Sequence, residues 1–95
     1  MNVAFKNSFL KIIKKLNDDK LKGSISEAIS NCENANDFAT VDNCKKLTGY
    51  KVYYRIRIGD YRIGLKWEAE ESTLYFVTFL HRKDIYRWFP KYVFF

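Results

Sequence analysis

The stretch "YYRIRIGDYRIGLKW", residues 53–67, restricts what this chain folds into more than any other segment. Gly59-Asp60 between two alternating runs reads as the centre of a tight hairpin turn. Folding the flanks back on each other sets Ile58 opposite Tyr61, Arg57 opposite Arg62, Ile56 opposite Ile63, Arg55 opposite Gly64 and Tyr54 opposite Leu65. Opposed residues share a face and faces alternate along a strand. One face then carries Val52, Tyr54, Ile56, Ile58, Tyr61, Ile63, Leu65 and Trp67, and the other Arg55, Arg57, Arg62 and Lys66. Like charges set directly opposite destabilise a sheet, so the basic face calls for an anion to offset the repulsion. Gly64, opposite Arg55, leaves a notch in that patch for a ligand to approach.

The rest of the chain supplies one layer of helices and one more long strand. "MNVAF" reads as a short edge strand. Phe9, Leu10, Ile12, Ile13 and Leu16 have helical spacing within Ser8–Leu16. A second helix starts at Asp18 or Asp19 and runs through Ser26–Glu33, with Gly23 weakening its beginning. "NCENANDFATVDNC" is turn-rich, with Phe38 and Val41 tucked into the core, and "KKLTGY" leads into the hairpin. After the acidic turn 68–73, "LYFVTFLH" is a strand. Both of its faces are apolar, so alternation alone does not orient it; pairing with the hairpin predicts Leu74, Phe76 and Leu80 on the helix side and Tyr75, Val77, Phe79 and His81 on the arginine face. The tail turns helical around Asp84–Trp88 and breaks at Pro90. The predicted fold is α+β: one domain over 1–95, an antiparallel sheet of about four strands, and two N-terminal helices on one face with the other face open.

Composition narrows the function. The net charge is +6, and all five arginines fall between residues 55 and 87. Clustered arginine suits phosphate, because the guanidinium fork matches phosphate oxygens. A basic surface also suits an acidic protein partner. No apolar run approaches the length of a membrane span and no leader is visible, which predicts a cytoplasmic protein with no membrane partner. Cys32 and Cys44 lack CxxC spacing and histidine neighbours, so they read as free thiols. Neither a Walker loop nor a metal-binding constellation occurs, and no cofactor is expected.

The candidate chemistry rests on arginine, histidine and tyrosine. Arg55, Arg57 and Arg62 form the anion cradle, with Lys66 and Arg87 as further phosphate contacts. His81 is the lone histidine, and the ordinary pKa of the histidine side chain, near neutrality, suits proton transfer; a structural histidine is the plainer alternative. Tyr86 either packs, stacks on a base or donates its hydroxyl to a phosphate. Such a set suits attack of an RNA 2′-hydroxyl on its adjacent phosphate, a reaction DNA cannot undergo for lack of the nucleophile.

"YYRIRIGDYRIGLKW" followed by "LYFVTFLHRKDIYR" resembles the C-terminal half of RelE/ParE-type toxins of toxin–antitoxin systems. The resemblance spans residues 50–87; the N-terminal half agrees only in layout. It implies a small α+β toxin fold and, in the RelE-like branch, an endoribonuclease that cuts mRNA in the ribosomal A site and is neutralised by a cognate antitoxin. It places the family's strand cations on Arg55 and Arg57, its hairpin arginine on Arg62, its C-terminal basic residue on Arg82 and its terminal tyrosine on Tyr86. Some nuclease members have a histidine at the place of His81. Leu80 departs from the glycine frequent before that histidine, and the apolar tail "WFPKYVFF" suggests occupation of a groove that an antitoxin otherwise fills. The alternatives are a ParE-like inhibitor that binds DNA gyrase without nuclease chemistry, and an inactive relative.

Overall fold

The computed structural model describes residues 1–91. Its elements run β1 (Asn2–Phe5), α1 (Asn7–Lys15), α2 (Asp19–Asn34), a 3₁₀ turn (Phe38–Thr40), β2 (Cys44–Lys46), β3 (Tyr53–Ile58), β4 (Tyr61–Glu68), β5 (Thr73–His81) and α3 (Arg82–Trp88). The sheet has five strands in the order β1-β5-β4-β3-β2. Two features differ from the sequence expectation. Cys44–Lys46 forms a strand of its own on β3, and β1 joins β5 in parallel, so the sheet is mixed. Three residues are too few to show an alternation, and direction of pairing is not written in a strand's own sequence.

The helical hairpin follows from its caps. Lys14 and Lys15 fill the last turn of α1, where they oppose the negative end of the helix dipole. Asp18 caps α2 by accepting from the Leu21 N–H at 3.0 Å. The apolar stripes of both helices lie on one face of the sheet. Phe9, Ile25, Ala28 and Cys32 are buried there with Ile56, Ile63, Leu65, Leu74, Phe76 and Phe79, and Ile12, Ile13, Leu16, Ile29 and Trp67 pack at the margin. Phe38 closes one end by stacking on Tyr54 at 4.0 Å.

The predicted hairpin register is the observed one, with Arg57 opposite Arg62 and Arg55 opposite Gly64. Gly59 sits at φ +55° as the first central residue of the turn, the position that requires glycine when the second residue keeps negative φ. The predicted phase of β5 holds only for its first half. Leu65 pairs Phe76 but Gly64 pairs Thr78, so Val77 is an extra residue, a β-bulge. Beyond it the faces exchange. Phe79 pairs Ile63 in the main core, Leu80 pairs Arg62, and His81 pairs Tyr61. Leu80 therefore lies on the arginine side, and Phe79 and His81 lie off it, the reverse of the expectation.

Nor is the second face wholly open. Ile85 of α3, Phe89, Val77 and Leu47 form a small second core there, with Tyr53, Tyr75 and Leu80 at its edge. The expected notch at Gly64 is filled by protein: a Cβ there would lie 2.9 Å from Thr78 Cγ2 and 3.1 Å from the Phe89 ring. Glycine is present so that Phe89 can seat, not so that a ligand can. The expectation for the end of the tail, residues 92–95, lies outside the described residues.

Candidate RNA-binding face

Strand pairing assembles a basic strip across three strands. Lys45 is opposite Arg55, and Arg57 is opposite Arg62. Lys45 was not anticipated, because β2 was not; its signal was only the "KK" that ends the strand. Asn43, also missed, organises the strip. Its carbonyl accepts from Arg55 Nη1 at 2.7 Å and from the Arg57 backbone N–H at 3.1 Å, and its Oδ1 accepts from Arg57 Nη2 at 3.3 Å. Asn43 holds φ +61°, a conformation that asparagine tolerates better than most side chains. Two guanidinium groups are thus tethered by one residue, which lessens the ordering cost of gripping an anion.

Arg62 folds back over the turn. Its Nη1 donates to the Gly59 and Tyr61 carbonyls at 2.9 and 2.8 Å. Its Nε is buried without a hydrogen-bond partner, so this parked conformation leaves one donor unsatisfied.

The start of α3 is tied to the hairpin turn. The Arg82 N–H donates to the Asp60 carbonyl at 2.8 Å, and Arg82 Nε lies 3.9 Å from Asp60 Oδ1. Both side chains are mostly exposed, so that ion pair is weak. His81 caps α3: its Nδ1 accepts from the Lys83 N–H at 3.1 Å, and its ring meets Tyr61 edge-on at 5.4 Å. A neutral imidazole accepting at Nδ1 carries its proton on Nε2, which leaves no free basic nitrogen while the cap is intact. Tyr86 and Arg87 are exposed on α3 and border a depression on the sheet side of that helix.

Lys66 is not gathered with these groups. It lies toward the far end of β4, 3.2 Å from Glu68. Nearby, the Tyr75 hydroxyl donates to Glu71, which raises the Tyr75 pKa by favouring the protonated form, and Lys6 Nζ sits 4.3 Å over the Tyr75 ring. The thiols are structural. Burial pushes Cys32 up to about 12 and Cys44 up to about 11, the latter partly opposed by the Arg55 charge. Among the described residues no group of three or more His, Cys, Asp or Glu side chains is placed to hold a metal ion, and no helix is long and apolar enough to cross a membrane.

A five-stranded sheet with a helical hairpin on one face, a short C-terminal helix on the other and a basic hairpin strip beside it defines a small toxin-like α+β class. The chain matches the family described as "ParE toxin of type II toxin-antitoxin system, parDE" over residues 3–86. It is 40% identical over 91 residues to "Toxin RelE3" of Methanocaldococcus jannaschii, covering 95% of this chain and 100% of that protein. It also resembles the toxin in the RelB-RelE antitoxin-toxin complex from Methanococcus jannaschii, with 37% identity, TM-score 0.73, and 90% and 98% of the two chains covered. The intact E. coli RelBE complex shares the fold, at 20% identity and TM-score 0.62 over 84% of this chain and 94% of that one. The chain belongs to the RelE/ParE family of type II toxins, and within it is a RelE-like toxin.

Proposed function

We propose that this toxin is an endoribonuclease that cuts mRNA on the ribosome by driving an RNA 2′-hydroxyl onto the adjacent phosphate. The observation that carries the reading is the basic strip: four cations from three adjacent strands, in two directly opposed pairs, on a face whose repulsion an RNA phosphate would relieve. Arg55 and Arg57, held by Asn43, position the backbone. Arg62 leaves its turn carbonyls to meet the charge that builds on the phosphorane, and its orphaned Nε makes that exchange less costly. Arg82 stabilises the phosphorane or the leaving group from the start of α3. Tyr86 contacts the base or the phosphate. His81 is a proton carrier only when its cap to Lys83 opens, which favours Tyr86 as the group that moves the proton. Arg87 serves as an outlying phosphate contact, while Lys66, paired with Glu68, is left out of the strip.

The test is cleavage of translated mRNA. Induction in cells should produce new 5′ ends in frame within translated regions. Arg62→Ala should lower turnover by about 10²-fold or more with the fold intact, whereas His81→Gln should retain most of it. A second reading, binding and inhibition of DNA gyrase, is favoured by the ParE description of the matched family. Intact mRNA with stalled replication would establish that reading and remove the nuclease one.

The partner on this reading is a cognate antitoxin in the cytoplasm, a segment acidic enough to cover the basic face as it folds on binding. Relatives are found in complex with RelB. Expression without a partner should arrest growth, and co-expression of a cognate antitoxin should relieve it.

A further inference from the structure

On the same side of the sheet as the basic strip, a depression of about 290 Å³ opens between the β2–β3 connection and α3. Its floor is apolar, made by the buried Leu47 and Phe89. Its walls are two exposed tyrosines, Tyr50 from the connection and Tyr86 from α3. Arg87 and Lys91 stand on its rim with the Thr48 hydroxyl, and among the described residues no carboxylate lines it. The Tyr50 wall is preformed. Leu47–Tyr50 is a turn closed by the Tyr50 N–H to the Leu47 carbonyl at 3.2 Å, with Gly49 at φ +85°. A type II turn requires glycine at that third position. The Tyr50 ring also meets Tyr53 edge-on at 5.5 Å.

We infer that this depression receives one unpaired RNA base, stacked against Tyr50 and Tyr86, with Arg87 and Lys91 on its phosphate and the Thr48 hydroxyl available to the base edge. The inference rests on the RNA reading above and adds the Thr48–Tyr50 turn to it as a base-selecting wall. Aromatic faces beside uncompensated cations are the combination that binds single-stranded nucleic acid. The size fits one nucleotide, since the depression sits at the low end of small-ligand sites, roughly 300–1,000 Å³. The position fits too. Tyr53, which backs Tyr50, and Arg55 alternate on one face of β3, so their Cα atoms are about 7 Å apart. An RNA strand held at Arg55 therefore has its neighbouring nucleotide within reach of the depression.

The probe is a set of fluorescent RNA hexamers, each abasic except for one base, beside a wholly abasic hexamer, titrated onto the full chain at low salt. Wild type should bind the base-bearing hexamers more tightly. Tyr50→Ala should weaken them by about 5- to 140-fold, the span of one stacking contact, and leave the abasic hexamer unchanged. Tyr50→Phe should restore binding, and an unaltered melting temperature should show that the Tyr50→Ala fold is intact. Thr48→Val should change the ranking of the four bases. An equal loss on the abasic hexamer, no loss at all, or an effect confined to binding a protein partner overturns the inference. The two readings fail separately. A chain that cuts translated mRNA without Tyr50 dependence on these hexamers loses only the base site. A chain that shows the dependence but cuts nothing loses only the nuclease.

Discussion

Asn43 adopts φ +61° and holds Arg55 and Arg57 through its carbonyl and side-chain oxygen. The two roles separate by substitution. Asn43→Gly keeps the backbone and loses only the Oδ1 contact to Arg57. Its stability should change by no more than about 0.5 kcal/mol, as for an ordinary surface site, and cleavage should fall roughly tenfold, the worth of one hydrogen bond to a charged group. Asn43→Ala must also bear the left-handed backbone, at a further cost of about 1–2 kcal/mol. Equal denaturation midpoints for the two variants would contradict that backbone role. Arg57 and Arg62 were legible in the sequence because a two-residue turn fixes register without reference to anything else. Asn43 was not, because its importance depends on β2 lying beside β3, a pairing of three residues with no periodic signal. His81 was legible as a candidate but not as a cap, since its orientation depends on a bulge that lies four residues earlier in β5.

At the scale of elements, α3 is the part that sequence reading placed but did not seat. The helix was expected around Asp84–Trp88; what it rests on was not. Val77, Ile85 and Phe89 read individually as apolar residues, yet only a folded sheet shows that they meet on the arginine side. The glycine of β4 was read as an opening when it is a contact. Gly64→Ala tests this directly. The added methyl would crowd Thr78, which is 1% exposed, and the Phe89 ring. Neither can move away freely, so the variant should lose about 1–3 kcal/mol by overpacking, measured by chemical denaturation. An unchanged midpoint would mean that Phe89 does not seat on Gly64. The helix-side core, by contrast, was legible in part: the spacing of α1 and the alternation of the hairpin place Phe9, Ile56, Ile63 and Leu65 in it, whereas Leu10 is exposed and Phe79 enters the core against expectation.

For the whole molecule, charge is arranged rather than merely present. The net charge of +6 is spread over both halves of the chain, but Lys45, Arg55, Arg57 and Arg62 converge on adjacent strands. Binding of single-stranded RNA through those four contacts should depend on salt with a log–log slope of about −3. Lys45→Ala should reduce the slope by roughly 0.7, one contact's share. A Lys66→Ala variant with the same effect would show that the strip extends further along β4 than its ion pair to Glu68 implies.

The bulge in β5 bears on how this strand tolerates change in length. Val77 and Thr78 are consecutive, both are almost fully buried, and together they oppose the single Gly64. Removing one residue from the interior of a regular strand turns everything beyond it inside out. Removing Val77 does the opposite: Thr78 would still face Gly64 and Phe79 would still enter the main core. The cost is the lost Val77 side chain in the second core and the lost acceptor for the Ser8 hydroxyl. A Val77 deletion should therefore fold, at reduced stability, with a native circular-dichroism spectrum, while deletion of Tyr75 should give insoluble protein. If both deletions behave alike, the extra residue is not at position 77. Among the described residues, this bulge is the place in the middle of the sheet where the loss of a single residue leaves the architecture standing.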